Sequence, residues 1–477
     1  MSARRPLLAL GAALLLLTGC GAPFVDTLAA ERSAAAEQPA ATPAELACAQ
    51  RAEPDPDRPV VELDFRLDDD LRTVTGTETV VFTSDLPTDE LVFRLVPNGP
   101  GPAAAGNRLV VDGVRGDDVA GSGYEDAGAE DPGGLFVVRL AGELAAGEAT
   151  EVALDFTLTL GAGGLERVGA ADGVSWWASG APLMAWEPGV GWARDPFVDL
   201  PGETATSPVA DTTIRVSAPE ALVVLMTGDQ AEPSPPQDGR RTWTSVEPVA
   251  RDVSVAVGEF TTASATTADG IEVTTGVLPG ADVPARELTG WTLTAIDELE
   301  ERFGPFPYAT LTVPLLPVEG GGIEYPSSIL LAGADRLVLL HEVAHMWFYG
   351  MVGDSQFRDP WLDEAFATYA ESVASPVSGD AAARALRTPG EVGAAMDGFD
   401  SASGYFRRVY GKGGAALLAA REAAGAEAFD AALRCYADAN AWTIATPDDV
   451  AAALADLPAA LDVLTEAGAL DVDDLPE

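Results

Sequence analysis

The hydrophobic period of this 477-residue chain changes once along its length, and that change limits what the chain can fold into. From residue 58 the stretch "PVVELDFRLDDDLRTVTGTETVVFTS" alternates apolar and polar side chains around a turn, as a half-buried hairpin must. "ELVFRLVPN", "LFVVRLAG", "ATEVALDFTLTL", "TTIRVSAP" and "RDVSVAVGEF" repeat the pattern between Gly, Pro and Asp turns. After residue 280 the period becomes helical. "ARELTGWTLTAIDELEERFG" predicts an amphipathic helix ending at Gly304. The strand "ATLTVPLLP" follows, and then "GADRLVLLHEVAHMWFYGM", read as one long and mostly apolar helix. "DPWLDEAFATYAESVA", with Asp359 as N-cap and Pro360 at the first helical position, predicts another. "KGGAALLAAREAAG" and "EAFDAALRCYADA" predict two more, and Thr446-Pro447-Asp448-Asp449 opens a last one. The fold class expected is multidomain α+β. An all-β, sandwich-like domain over residues 56–260 precedes a helix-rich domain over residues 261–477.

A hydrophobic content of 47% is ample for packed cores. The formal net charge of -47 repels nucleic acid and anionic lipid, so no nucleic-acid partner is expected, and it favours cationic partners such as protonated amines. The first 19 residues read as a targeting segment. Arg4 and Arg5 precede "PLLALGAALLLL", which is short against the about 20 residues of a membrane span. "LTGC" then resembles a bacterial lipobox, which implies a lipid on Cys20 and an extracytoplasmic protein anchored to the membrane there. Residues 20–55, rich in Ala, Pro, Glu and Thr, read as a flexible tether. Besides Cys20 the chain holds Cys48 and Cys435, for which a disulfide is possible in an oxidising compartment.

Both histidines of the chain lie in "LLHEVAHMWFYG". His341 and His345, four apart, project from one helical face, one turn apart. With Glu342 they form H-E-x-x-H, in which two imidazoles hold zinc and the glutamate is a general base. A catalytic zinc takes a third protein ligand. Glu364, 18 residues beyond His345 in "WLDEAFATYAE", is the candidate, with Asp363 as competitor. Its apolar flanks call for a partner to a buried carboxylate.

These residues, in this order, resemble the gluzincin metallopeptidases of the aminopeptidase N family, of which the chain is identified as a member. "GGGIEYP" is similar to G-x-M-E-N, with Ile323 for methionine and Tyr325 for asparagine. "HEVAHMWFYGMV" is similar to H-E-x-x-H-x-W-F-G, with Tyr349 inserted before the glycine. "WLDEAFATY" resembles W-L-N-E-G-F-A, "VYGKGG" resembles Y-x-K-G, and "MAWEPGVGW" resembles Q-x-E-P with Ala185 for glutamine. The resemblance implies a thermolysin-like domain with one zinc on His341, His345 and Glu364, and Glu342 as general base. It further implies that Tyr410 stabilises the oxyanion, with Tyr405 in reserve, and that Glu324 on an edge strand and Glu187 from the β domain bind the substrate amine. Lys412 is the sole lysine of the chain.

The expected function is a zinc-dependent aminopeptidase acting on peptides with a free N-terminus at the outer face of the membrane. Larger family members carry further C-terminal domains, and a chain without them is expected to have a more open cleft. A gluzincin endopeptidase and a non-catalytic peptide-binding surface protein are the alternatives.

Overall fold

Strict alternation builds the first domain. Ala210–Pro219 buries every second side chain, and Ala149–Thr159 nearly so. The computed structural model describes residues 48, 50–162, 167–202, 205–375 and 379–475. Cys20, the targeting segment and most of the expected tether lie outside them. A seven-stranded sheet has the spatial order Asp229–Gln230, Arg240–Ala250, Ala210–Pro219, Val60–Leu67, Thr73–Thr83, Ala149–Thr159 and Arg108–Arg115. Val60–Leu67 pairs parallel with Ala210–Pro219 and antiparallel with Thr73–Thr83. A four-stranded sheet that includes Thr88–Arg94 and Leu135–Leu144 shares a core with it, in which Phe65, Phe93, Phe136 and Phe156 meet. Two sheets around one apolar layer make the expected sandwich.

A third sheet, with Ser254–Gly258 and Val174–Ala178 at its centre, carries the chain onto the second domain. There Trp176 and Leu225 pack with Leu316, Tyr325 and Leu330. These last residues belong to a mixed five-stranded sheet in the order Thr261–Thr266, Glu272–Val277, Thr310–Leu316, Ser328–Ala332 and Gly322–Tyr325. Gly322–Tyr325 runs antiparallel to Ser328–Ala332 at the sheet edge. The helix Ala285–Phe303 buries Leu288, Ile296 and Leu299 and ends where Gly304 takes φ 89°. The remaining helices, chiefly Arg336–Ala344, Trp361–Ala374, Gly414–Ala424, Ala426–Ala439 and Pro458–Ala467, enclose a core around Trp347, Trp361, Phe366 and Tyr436. The expected fold class is the observed one: a β-rich domain followed by a helix-rich part.

Three local expectations change. The helix read through Met351 ends at Ala344, with His345 as its C-cap. Beyond it the backbone turns: Gly350 N–H donates to the His345 carbonyl at 2.8 Å, and Tyr349 sits at φ 112°. Trp347, Phe348 and Met351 are apolar because they are buried in the core, not because they lie on a helical face. The N-cap of Trp361–Ala374 is Pro360, one residue after the expected Asp359. Finally, Arg51 and Ala52, inside the stretch read as tether, are fixed. Arg51 Nε pairs with Asp438 at 2.9 Å, and the Ala52 N–H donates to the Asp438 carbonyl. Cys48, just before them, is joined to Cys435 in a disulfide.

Candidate active site

The helix Arg336–Ala344 is started by Asp335, whose carboxylate accepts from the N–H groups of Leu337 and Val338. Helical spacing then brings the imidazoles of His341 and His345 to a ring separation of 4.8 Å. The helix Trp361–Ala374, buried over most of its length, delivers Glu364 opposite them. His341 Nε2 lies 3.2 Å and His345 Nε2 3.5 Å from the same Glu364 Oε2. The edges of a tetrahedron around zinc with bonds of about 2.0–2.1 Å are about 3.3–3.4 Å long, so both histidine–Glu364 separations match the ion, and the three donor atoms lie within 4.8 Å of one another.

The other ring nitrogens are also committed. His345 Nδ1 donates to Asp363 Oδ1 at 2.5 Å, and His341 Nδ1 faces Glu371 Oε2 at 3.5 Å. Asp363 is further held by Gln356 Nε2 at 3.3 Å. Carboxylates on both Nδ1 atoms leave the Nε2 lone pairs free for a metal. Asp363 is therefore placed behind the candidate ligand set. Neither it nor Glu371 was assigned this role from the sequence. For Glu371 a signal existed, since it follows Glu364 by two helical turns on one face.

Electrostatics favour a cation here. Burial opposes protonation of His341, yet hydrogen bonds to Glu364 and Glu371 outweigh it and hold its pKa well above the ordinary value. Burial would raise Glu364, but the hydrogen bond from His341 and the two imidazoles bring it below the usual range. Glu342 is 5% exposed, and its Oε2 has no hydrogen-bond partner among the described residues. Burial, then the charge of Glu324, push its carboxyl up to about 8. A carboxylate so raised takes up a proton near neutral pH.

Glu324 lies on the edge strand beside this helix. It is 4% exposed, and its Oε1 likewise lacks a partner. Glu324, Glu342 and His345 each place a ligand atom within 4.8 Å of the others. The strand comes this close because residue 322 is glycine: a Cβ there would stand 2.4 Å from Glu342 Cγ. Tyr325 points away from the site and is fully buried. Its hydroxyl accepts from Arg167 Nη1 of the β domain at 2.6 Å.

Tyr410 arrives on an unexpected element. "KGG" does not open an α-helix; Arg407–Gly413 is a π-helical turn running into Gly414–Ala424. Gly413 allows it to approach the helix Trp361–Ala374, since a Cβ there would lie 2.5 Å from Ala365 Cβ. The Tyr410 hydroxyl donates to Glu364 Oε1, and its ring stacks on His341 at 5.8 Å. Tyr405 is fully buried, with its ring 5.7 Å from that of Tyr410 and its hydroxyl unpartnered among the described residues. Lys412 is turned away, donating to the Gly390 carbonyl at 2.7 Å. Glu187 is engaged in part, its Oε1 being buried without a partner among the described residues. It is 2% exposed and bonded to Arg358, which also faces Asp195 at 3.7 Å. A guanidinium already satisfies one of its oxygens, and the residues that show this lie 171 apart in sequence.

A second β-domain residue reaches the loop after the helix Arg336–Ala344. Arg251, buried, donates to the carbonyls of Gly350 at 3.2 Å, Met351 at 3.4 Å, Ser207 at 3.1 Å and Thr443 at 2.8 Å. Its motif-free neighbourhood gave no sequence signal.

The arrangement has known counterparts. Residues 332–473 match the family described as Peptidase family M1 domain. Human aminopeptidase B is 32% identical over 87 residues, covering 16% of this chain and 13% of that protein. Aminopeptidase N of Streptomyces lividans is 54% identical over 35 residues, covering 7% of this chain and 4% of that protein. The matched segments thus span well under two thirds of these curated relatives. Among solved structures, the M1 zinc metallopeptidase from Deinococcus radiodurans superimposes with a TM-score of 0.63 at 22% identity, over 88% of this chain and 94% of that one. The same metallopeptidase bound to a Tyr-Ser-Ala substrate gives a TM-score of 0.64 at 21% identity, over 88% and 96%. Residues 332–473 thus resemble the Peptidase family M1 domain, and the chain shares the fold of the Deinococcus radiodurans M1 zinc metallopeptidase.

Proposed function

We propose that the chain is a zinc-dependent aminopeptidase that removes N-terminal residues from peptides outside the cytoplasm, held to the membrane by lipid on Cys20. One zinc per chain would rest on His341, His345 and Glu364. When bound, zinc supplies Lewis-acid polarisation of the scissile carbonyl and of water. The chain's own groups do the rest. Glu342 accepts a proton from the attacking water and returns it to the leaving amine. The Tyr410 hydroxyl, beside Glu364, donates to the oxygen on which negative charge develops. Asp363 and Glu371 keep the imidazoles in one tautomer and orientation.

The observation that carries the exopeptidase reading is Glu324. A buried carboxylate with an unpartnered oxygen is costly unless a cation satisfies it. A substrate α-ammonium, which only a free N-terminus offers, has the charge and the donors for it. Glu187 Oε1 is also buried without a partner among the described residues, while Arg358 holds its other oxygen, so Glu187 is proposed to share the amine with Glu324.

The test is hydrolysis of one peptide in free and N-acetylated forms by the zinc-loaded chain, with Glu342→Gln as background. Cleavage of the free form alone, lost in the variant, is expected. Equal cleavage of both forms would replace this reading with an endopeptidase. Binding of peptide without cleavage would replace it with a non-catalytic binding protein.

A further inference from the structure

The edge strand that carries Glu324 is open at one end only. Its far end is closed: Glu324 and Tyr325 are buried, and Arg167 of the β domain holds the Tyr325 hydroxyl at 2.6 Å. Towards its start burial falls away, to half-buried at Gly322 and exposed at Gly320. The Ala332 N–H donates to the Gly321 carbonyl at 2.8 Å, so by antiparallel alternation the backbone groups of Gly322 and Glu324 face away from Ser328–Ala332. A peptide can add to such an edge as a further strand. With its ammonium at the buried, unpartnered Oε1 of Glu324, its later residues have their way out past Gly320.

That exit opens into a groove of about 970 Å³ between the β domain and the five-stranded sheet. The groove has an apolar floor. Leu278 and Val318, both half-buried, belong to one apolar cluster with Leu316 and with Ile323 of the edge strand, so floor and strand are continuous. Its rim carries Asp172, Glu259, Asp282 and Glu319, all exposed, and among the described residues no arginine or lysine lines it. Gly320 lies four positions before Glu324, about 13 Å along a strand that rises roughly 3.3 Å per residue. A peptide held by its amine therefore enters the groove with about its fourth residue.

We propose that this groove binds the downstream residues of the peptide substrate, from about the fourth onward, and selects apolar and basic side chains there. This deepens the aminopeptidase reading, on which it rests, by naming the substrate class: peptides of about six residues or more, with leucine-like and arginine-like side chains beyond the third position. Apolar side chains gain by covering the floor, and cationic ones gain from a rim of carboxylates.

The experiment measures initial rates of the zinc-loaded full chain on free-amine peptides that share their first three residues: the tripeptide, a hexapeptide ending Leu-Arg-Arg and a hexapeptide ending Ser-Glu-Glu. Wild type is compared with Glu259→Gln, Asp282→Asn and Ala281→Trp, the last placing an indole in the groove that Ala281 lines. Thermal melts establish that each variant is folded. In wild type the basic hexapeptide is expected to have a lower KM than either other peptide at similar kcat, as uniform binding by a remote subsite requires. The ratio of tripeptide to basic-hexapeptide KM is expected to fall about two- to fivefold for each acid neutralised, the range that exposed ion pairs give. Ala281→Trp is expected to bring that ratio close to one. Equal KM for the tripeptide and the basic hexapeptide in wild type overturns the inference. So does a preference that all three variants retain, which assigns it to the overall acidity of the chain. If Ala281→Trp fails to fold, the two acid variants decide. Failure of the aminopeptidase reading looks different: no free-amine peptide is cleaved, or N-acetylated forms are cleaved equally, whatever the order of KM values, and the groove's assignment falls with it.

Discussion

The candidate ligands were legible at the level of single residues because helical geometry is local: four positions between two histidines fix one face whatever surrounds them. Their supports were not, because a hydrogen bond to Nδ1 is decided by packing. Asp363 shows the difference. From the sequence it competed with Glu364 for the metal, while in the fold it holds His345 from behind. Losing such a support typically weakens metal binding about 10–100-fold. Asp363→Ala is accordingly expected to lower zinc affinity by that factor, measured by competition with a chelator. Unchanged affinity in a folded variant would mean that the Phe348 carbonyl, 3.3 Å from the same Nδ1, suffices to orient the ring. Glu187 carries the opposite lesson. Its motif suggested a free carboxylate, and only the folded chain reveals Arg358 beside it, since the two belong to different domains.

At the scale of elements, the strands and the amphipathic helices followed from period, as they should where one face is wet. The misread ends lie where every face is buried, as in Met346–Met351, because a stretch apolar on all sides carries no period. The π-helical turn that presents Tyr410 has no sequence mark either, and Gly413 lets it lie against Ala365. The edge strand depends on a similar contact. Gly322→Ala places a methyl group into the Glu342 side chain, so the strand and Glu342, the proposed general base, must separate. A displacement near 1 Å at a reacting group costs on the order of 100-fold in rate. The expectation is a kcat loss of that size with zinc stoichiometry intact. A variant with normal kcat would show that the strand yields instead of the base.

For the whole molecule, stability should vary with pH in a definite direction. Burial raises Glu247 to about 7 from its ordinary 4.5, and burial likewise raises Asp252 to about 6. Between these values the folded chain holds protons that the unfolded chain has released, so stability falls as pH rises from about 4.5 to about 7. The slope from Glu247 alone is on the order of 1 kcal/mol per pH unit. Glu247→Gln should flatten it in chemical denaturation series, and an unchanged slope would assign it to other acids. The Cys48–Cys435 bridge closes a loop across a separation of 387 residues. Its loss by Cys48→Ser with Cys435→Ser is expected to cost about 2–5 kcal/mol, and an unchanged denaturation midpoint would show that Arg51 and Ala52 alone secure that end.

Arg251 has a wider consequence. One side chain from the β domain holds four carbonyls, three of them in the helix-rich part and two just beyond the helix Arg336–Ala344. The two domains are therefore not interchangeable modules. Residues 261–477 expressed alone would leave those carbonyls without their donor and the loop after His345 unsupported. A foreign partner joined to the helix-rich half in place of the β domain is expected to need a donor for the same carbonyls.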